Sequence, residues 1–297
     1  MQSELAIAVL AGLGGMIGWG SADFFAKKTI DAVGDIVSLV WAHLFGTITL
    51  FLVVLYRFYA IGKGITIPQT ASAWGGLIFF GALQALVYLF VYKGFSKGLV
   101  SVLNPVFASF SGLVAIISIL FLGEMVTVHK ITALAVVFVG VLALSLDMGA
   151  LRLKKLRIGN IPGLKEIGLA TVMATFWTLG WDKFVGGQDW VSYAFFMYAF
   201  MTVAMYIISR VQKVKLSVIT PGLWKFLILI GLGETVAYLA ISYGYSNTSL
   251  TSVVALLSGA FSLPTIILAR LFLKEKVSKA QTWGSIIIIT GIIILSL

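Results

Sequence analysis

The 297-residue chain is 60% hydrophobic and only 11% charged, whereas a typical soluble domain carries about 25% charged residues, so it cannot build a water-facing surface. Lys and Arg outnumber Asp and Glu by 21 to 11, a net charge of +10, which in so apolar a chain indicates loops that meet anionic lipid and set orientation, with no nucleic-acid partner. Soluble, collagen-like and disordered classes are excluded, and the lack of cysteine removes disulfide frameworks, thiolate nucleophiles and Cys-based metal sites.

Apolar runs of about 20 residues recur along the chain, the signature of a polytopic helical membrane protein. They predict ten transmembrane helices near 5–26, 36–57, 72–93, 98–121, 129–148, 165–184, 190–209, 223–244, 249–272 and 280–297. The first begins without a basic leader and is long enough to span, so it reads as a retained helix. Between the spans lie Lys27-Lys28 to Asp35, the 57–70 connection, the Lys93 to Lys97 turn, the basic 152–165 loop and short polar links, none long enough for a separate domain.

The chain also repeats itself. At a spacing of 150, Gly81, Tyr88, Leu89, Gly94 and Ser96 recur as Gly231, Tyr238, Leu239, Gly244 and Ser246. At 151, Ser101, Phe110, Ser111, Glu124, Val126 and Gly140 recur as Ser252, Phe261, Ser262, Glu275, Val277 and Gly291, with 14 identities over the 46 positions from 101 to 146. Duplication explains this better than apolar bias. It predicts two five-helix repeats, residues 1–150 and 151–297; five being odd, the second enters the membrane from the opposite side, the inverted-topology layout of secondary transporters with a site near the midplane.

The segment Trp19-Gly20-Ser21-Ala22-Asp23-Phe24-Phe25-Ala26-Lys27-Lys28 resembles the opening of EamA-type members of the drug/metabolite transporter superfamily. So do the repeat ends Leu120-Phe121-Leu122-Gly123-Glu124-Met125-Val126 and Leu271-Phe272-Leu273-Lys274-Glu275-Lys276-Val277, the second departing from the pattern at Lys274. The resemblance covers essentially the whole chain. It implies that spans 1–4 and 6–9 surround a central cavity while spans 5 and 10 hold the halves together, and it leaves the substrate open among amino acids, nucleotide sugars, choline, drugs and other metabolites.

Among candidate residues, Glu234 is the sharpest, an acid midway along the eighth span that is costly unless it faces a cavity or a partner; it is the candidate for proton or charge coupling. Its repeat equivalent is Gln84. Glu234, Tyr238 and Ser242 share one helix face, as do Gln84, Tyr88 and Tyr92. Trp19 and Asp23 on the first span, Trp41 and His43 on the second, Asn104 on the fourth and Trp177 and Trp181 on the sixth complete the predicted substrate cavity, since clustered aromatic rings hold cations and planar groups and a histidine can shuttle protons. Asp23 and Asp182 also lie near helix ends, close to Lys27 and Lys183, so an interfacial ion pair is the favoured reading of both, with Asp23 on the cavity as the functional one. Pro105 and Pro264 are candidate gating kinks, and the glycines at 12, 14, 15, 18 and 20 predict close helix packing.

With only His43 and His129 present there is no H-E-x-x-H motif, and neither a phosphate-binding loop nor a nucleophile elbow occurs. The expectation is therefore a multi-pass secondary transporter of the cytoplasmic membrane, not an enzyme, without cofactor or metal, a monomer or homodimer working by alternating access. Its substrate is a small zwitterionic or cationic metabolite, amino acids first, with protons as coupling ion. A choline-like quaternary ammonium held by Trp19, Trp177, Trp181, Tyr88 and Tyr238 is one alternative, and an intramembrane lipid-modifying enzyme or scaffold is another. Alternate loops hold 17 of the 21 Lys and Arg, which places those loops in the cytoplasm and both termini outside, whereas the resemblance implies cytoplasmic termini.

Overall fold

A computed structural model describes residues 2–97, 100–145, 161–216, 219–274 and 278–296. Among them are eleven α-helices: α1 Gln2–Val33, α2 Asp35–Ile61, α3 Ala71–Lys97, α4 Val100–Phe121, α5 Val128–Ser145, α6 Leu164–Val185, α7 Trp190–Val211, α8 Trp224–Asn247, α9 Thr251–Gly259, α10 Ser262–Leu273 and α11 Lys279–Ser296. Segments 3–33, 35–61, 71–94, 190–211, 221–247 and 251–272 are long and apolar enough to cross a membrane, and 106–121, 128–144 and 279–295 are shorter apolar helices. Most of the 152–165 loop and the Glu275 to Val277 part of the second motif lie outside the described residues.

Most helices end within four residues of their predicted bounds, α2 and α3 each running four residues further, to Ile61 and Lys97; two depart by more. Lys27 and Lys28 do not end α1, because lysine propagates a helix well; it runs to Val33 and stops at Gly34, whose φ of +84° only glycine adopts without strain. The predicted ninth span is broken between α9 and α10 at Ala260 and Phe261. Pro264 has no N–H to offer the Ala260 carbonyl four residues back, and that carbonyl instead accepts from Leu263 N at 2.9 Å. The first repeat has Leu113 in place of Pro264, and α4 continues unbroken to Phe121, passing through Pro105.

Packing runs mostly between the two halves and recurs with the halves exchanged. α1 lies on α8 as α3 lies on α6; α2 lies on α8 as α7 lies on α3; α4 meets α6 as α9 meets α1; and α5 pairs with α11. The predicted glycines permit the closest of these contacts: a Cβ on Gly18 would stand 2.5 Å from the Gly233 carbonyl oxygen, and one on Gly14 2.6 Å from Ala240 Cβ. On the α5–α11 seam, Gly140 and Gly291 play the same part against Ile288 and Val137. The N-terminal half of α1 is thereby sealed against α8 and α9, which fixes where open space can remain.

Candidate functional site

That space is a cavity of about 950 Å³. It starts at Trp19 in the middle of α1 and follows the helix past Asp23 and Ile30 to Asp31, with Asp35 at the start of α2 beside it. Trp19 to Asp31 is twelve residues, about 18 Å of helix, so the cavity reaches from the middle of the bundle to one end. Its other walls are Gln84, Tyr88 and Tyr92 from α3, Asn104, Phe107 and Phe110 from α4, Trp177 and Thr178 from α6, and Phe261, Ser262 and Thr265 at the α9–α10 break. Asp23, Asp31 and Asp35 are its acids, and no Lys or Arg is among its described lining residues. Two buried polar atoms on the wall have no hydrogen-bond partner: the Trp19 indole Nε1, a donor, and Gln84 Oε1, an acceptor.

Behind this wall lies a buried polar cluster. Gln84 Nε2 donates to the Tyr238 hydroxyl at 2.9 Å. Tyr198 on α7 donates its hydroxyl to Glu234 Oε2, and His43 Nε2 lies 3.3 Å from the same oxygen, close but not aligned as a hydrogen bond. Glu234 is 4% exposed and His43 fully buried. The rings of Tyr88 and Tyr198 pack edge-on against His43 at 5.2 and 5.6 Å, and Tyr238 packs on Trp19, Trp177 and Tyr198. An acid inside a membrane is tolerable on these terms, with a hydroxyl donor and an imidazole beside it.

The end of the bundle opposite the cavity mouth is shut by bonds most of which join the halves. Arg57 grips Asp189 through two nitrogens at 3.0 and 3.3 Å, Ser192 donates to the same carboxylate at 2.6 Å, and Thr66 N donates to Ser192 Oγ at 2.9 Å. Ser252 gives its N–H to Glu124 Oε2 at 2.9 Å and its hydroxyl to the other oxygen. Ser249 donates its hydroxyl to Glu4 at 3.2 Å. Burial pushes the Glu124 carboxyl above its usual range despite the Ser252 bonds. At Asp189 burial acts the same way, but the donors Ser192 and Arg57 outweigh it and hold the carboxyl below its ordinary value.

Of the twelve residues predicted to form the cavity, Trp19, Asp23, Gln84, Tyr88, Tyr92, Asn104 and Trp177 line it. Glu234, Tyr238 and His43 belong to the buried cluster behind it. Trp181 stacks on Trp177 at 5.7 Å and donates its indole N–H to Ser242 at 3.1 Å. Trp41 lies in a different cleft, lined also by Arg210 and Lys213. Lys183 Nζ is 3.5 Å from Asp182 Oδ2, the predicted interfacial pair; Asp23 lines the cavity, and the side chain of Lys27, its predicted partner, lies outside the described residues. Pro264 marks the α9–α10 break and is in contact range of Gly20 on α1. Sequence reasoning missed Tyr198, Asp31 and Asp35. For Tyr198 the signal is the need of Glu234 for a donor; the two aspartates fall in the predicted loop because the sequence pattern places the end of the first span at Ala26. Among the described residues no three His, Asp or Glu converge as a metal site.

A helical membrane bundle with duplicated halves around a deep cavity is the build of a membrane transporter of small solutes. The model of the EamA-like transporter family matches the chain twice, over residues 6–146 and 164–297. The chain belongs to that family, and its two-repeat layout is the family's. No functionally curated protein matches the sequence. A solved protein crystal structure is similar to it with a TM-score of 0.74 over 97% of this chain and 96% of the other, at 15% identity, a likeness of fold alone.

Proposed function

We propose that this protein is a secondary transporter that carries a small cationic or zwitterionic metabolite, amino acids first, across the cytoplasmic membrane by alternating access of two inverted five-span repeats. Ten spans follow when α9 and α10 are counted as one broken crossing. The observation that carries the substrate class is the cavity lining: three carboxylates, the rings of Trp19, Tyr88, Tyr92 and Trp177, and no cation among its described residues. Carboxylates in a low-dielectric recess focus a negative field that concentrates cations, and aromatic faces add cation–π attraction. Asp23 meets the ammonium group, while the unpartnered Trp19 donor and Gln84 acceptor bind the solute's polar groups. Glu234, between His43 and Tyr198, is the proton-linked acid. With the basic face in the cytoplasm, the cavity opens inward and both termini lie outside.

A quaternary ammonium solute is the second reading, supported by Trp19, Tyr88 and Trp177, three rings of the five predicted for its cage, on the cavity wall. Flux into proteoliposomes tests both. Saturable uptake of lysine or a neutral amino acid under an imposed proton gradient, abolished by Asp23→Asn, is the expected result. Uptake of choline lost in Trp177→Leu would select the second reading. Flux of glutamate alone would overturn the cationic assignment, and no flux of any solute would favour a membrane enzyme or scaffold.

A further inference from the structure

A second cleft lies on the basic face, at the end of α7, away from the substrate cavity. It encloses about 610 Å³ between Trp41 and Tyr206 and the segment 210–216, and its cations are Arg210, Lys213 and Lys215. No acid lines it, and none of these three cations forms an ion pair with a described residue.

The chain is folded to hold them there. Lys213 adopts a φ of +55°, in the left-handed region that a lysine enters at a cost. This turns the backbone so that Val214 N reaches back to the Ser209 carbonyl at 2.9 Å and Lys213 N to Arg210 at 3.1 Å. Trp41 Nε1 then donates to the Leu216 carbonyl at 3.2 Å and fastens the segment to α2. Three positive charges around one recess repel one another, and the arrangement becomes favourable when an anion sits among them. The outer flank of α7 beside the cleft is apolar and open: Tyr206 is 48%, Ile207 54% and Val211 75% exposed. An anionic head thus has a cationic seat and an apolar wall next to it.

We infer that this cleft is a binding site for a phosphate group, supplied by the head of an anionic phospholipid whose acyl chains lie along Tyr206, Ile207 and Val211. Basic recesses between helices at the cytoplasmic face suit such heads, each Lys or Arg adding attraction, and Arg210 offers a fork of donors to phosphate oxygens.

The test uses the full-length protein, delipidated in detergent, with binding read by native mass spectrometry and by thermal shift. The probes are phosphatidylglycerol, phosphatidylcholine and water-soluble glycerol 3-phosphate. Phosphatidylglycerol should stay bound and raise the melting temperature, phosphatidylcholine should not, and Arg210→Gln/Lys213→Gln/Lys215→Gln should weaken the phosphatidylglycerol effect by about tenfold or more. Lys165→Gln/Lys279→Gln, which removes two exposed cations on the same face outside the cleft, should leave it unchanged. The single variant Lys215→Gln, at an exposed position, should show a partial loss if the triple variant does not fold. A response to glycerol 3-phosphate equal to that for phosphatidylglycerol would support the phosphate site with a free solute as its source. Equal binding of phosphatidylcholine, or equal losses in the cleft and control variants, would overturn the inference.

Discussion

The Gln84 side chain donates a hydrogen bond to the Tyr238 hydroxyl at 2.9 Å, joining α3 to α8. The repeat makes Gln84 equivalent to Glu234 and Tyr88 equivalent to Tyr238, so the bond links the two polar-aromatic stripes themselves. Replacing Tyr238 with Phe leaves a buried amide without its acceptor, which costs about 1–3 kcal/mol and lowers the melting temperature in detergent. Adding Gln84→Leu to Tyr238→Phe should cost less than the two single losses summed, because the orphaned donor is gone too. Strict additivity would show that the bond contributes nothing.

Glu234 and Tyr198 form another buried hydrogen-bonded pair, this one within the second repeat. Tyr198→Phe removes the hydroxyl donor from a buried carboxyl and should destabilise by about 1–3 kcal/mol. Glu234→Gln keeps the shape and an oxygen acceptor, so it should unfold later than Glu234→Leu. In flux assays Glu234→Gln should flatten the pH dependence of transport; an unchanged pH profile would remove Glu234 from the coupling role.

Asp189 provides a pH signature at the shut end. Burial raises its carboxyl, yet Ser192 and Arg57 hold it below its ordinary 3.8. A depressed folded value means that the stabilisation is fully present above 3.8 and disappears as the pH falls through the lower folded value. The stability gap between the wild type and Asp189→Asn should therefore be widest near neutrality and close as the pH drops below 3.8. A gap that stays constant across that window would contradict the pairing with Arg57.

Two glycines in helices should respond in opposite directions. A Cβ on Gly18 would meet the backbone at Gly233 and Ala237 at 2.5 and 2.6 Å, so Gly18→Ala should separate α1 from α8 and cost about 1–3 kcal/mol. Gly168 on α6 has nothing within 4 Å of that position, and Gly168→Ala should stabilise by about 0.5–1 kcal/mol through helix propensity. Melting curves of both variants decide the matter.

Much of this was legible in the sequence because a bilayer imposes strong rules: apolar runs locate the helices, and duplication pairs them. The glycines of α1 were read as a packing face, and Gly14 and Gly18 indeed meet α8. Spacing of four residues placed Gln84, Tyr88 and Tyr92 on one wall, and all three line the cavity. Depth was not legible. The same spacing on α8 put Glu234 and Tyr238 on a common face, but α1 comes so close to α8 that Trp19 covers Tyr238 and the pair lies behind the wall. Lys27-Lys28 has the charge of a span boundary but propagates the helix, so α1 runs on to Val33 and brings Asp31 to the cavity, with Asp35 beside it. Tyr198 sits among Phe195, Phe196 and Phe200 with no periodic mark of its own; only the unmet need of Glu234 pointed to it.

The central claim is that a cation enters the cavity and meets Asp23. The most direct measurement is binding to the purified protein of four solutes matched in size, one cationic, one zwitterionic, one neutral and one anionic, in wild type and Asp23→Asn. The account predicts that the cationic or zwitterionic solute binds and that Asp23→Asn weakens it by about tenfold or more, the loss of one charge-assisted contact. Preferential binding of the anion, or cation binding indifferent to Asp23→Asn, would contradict it.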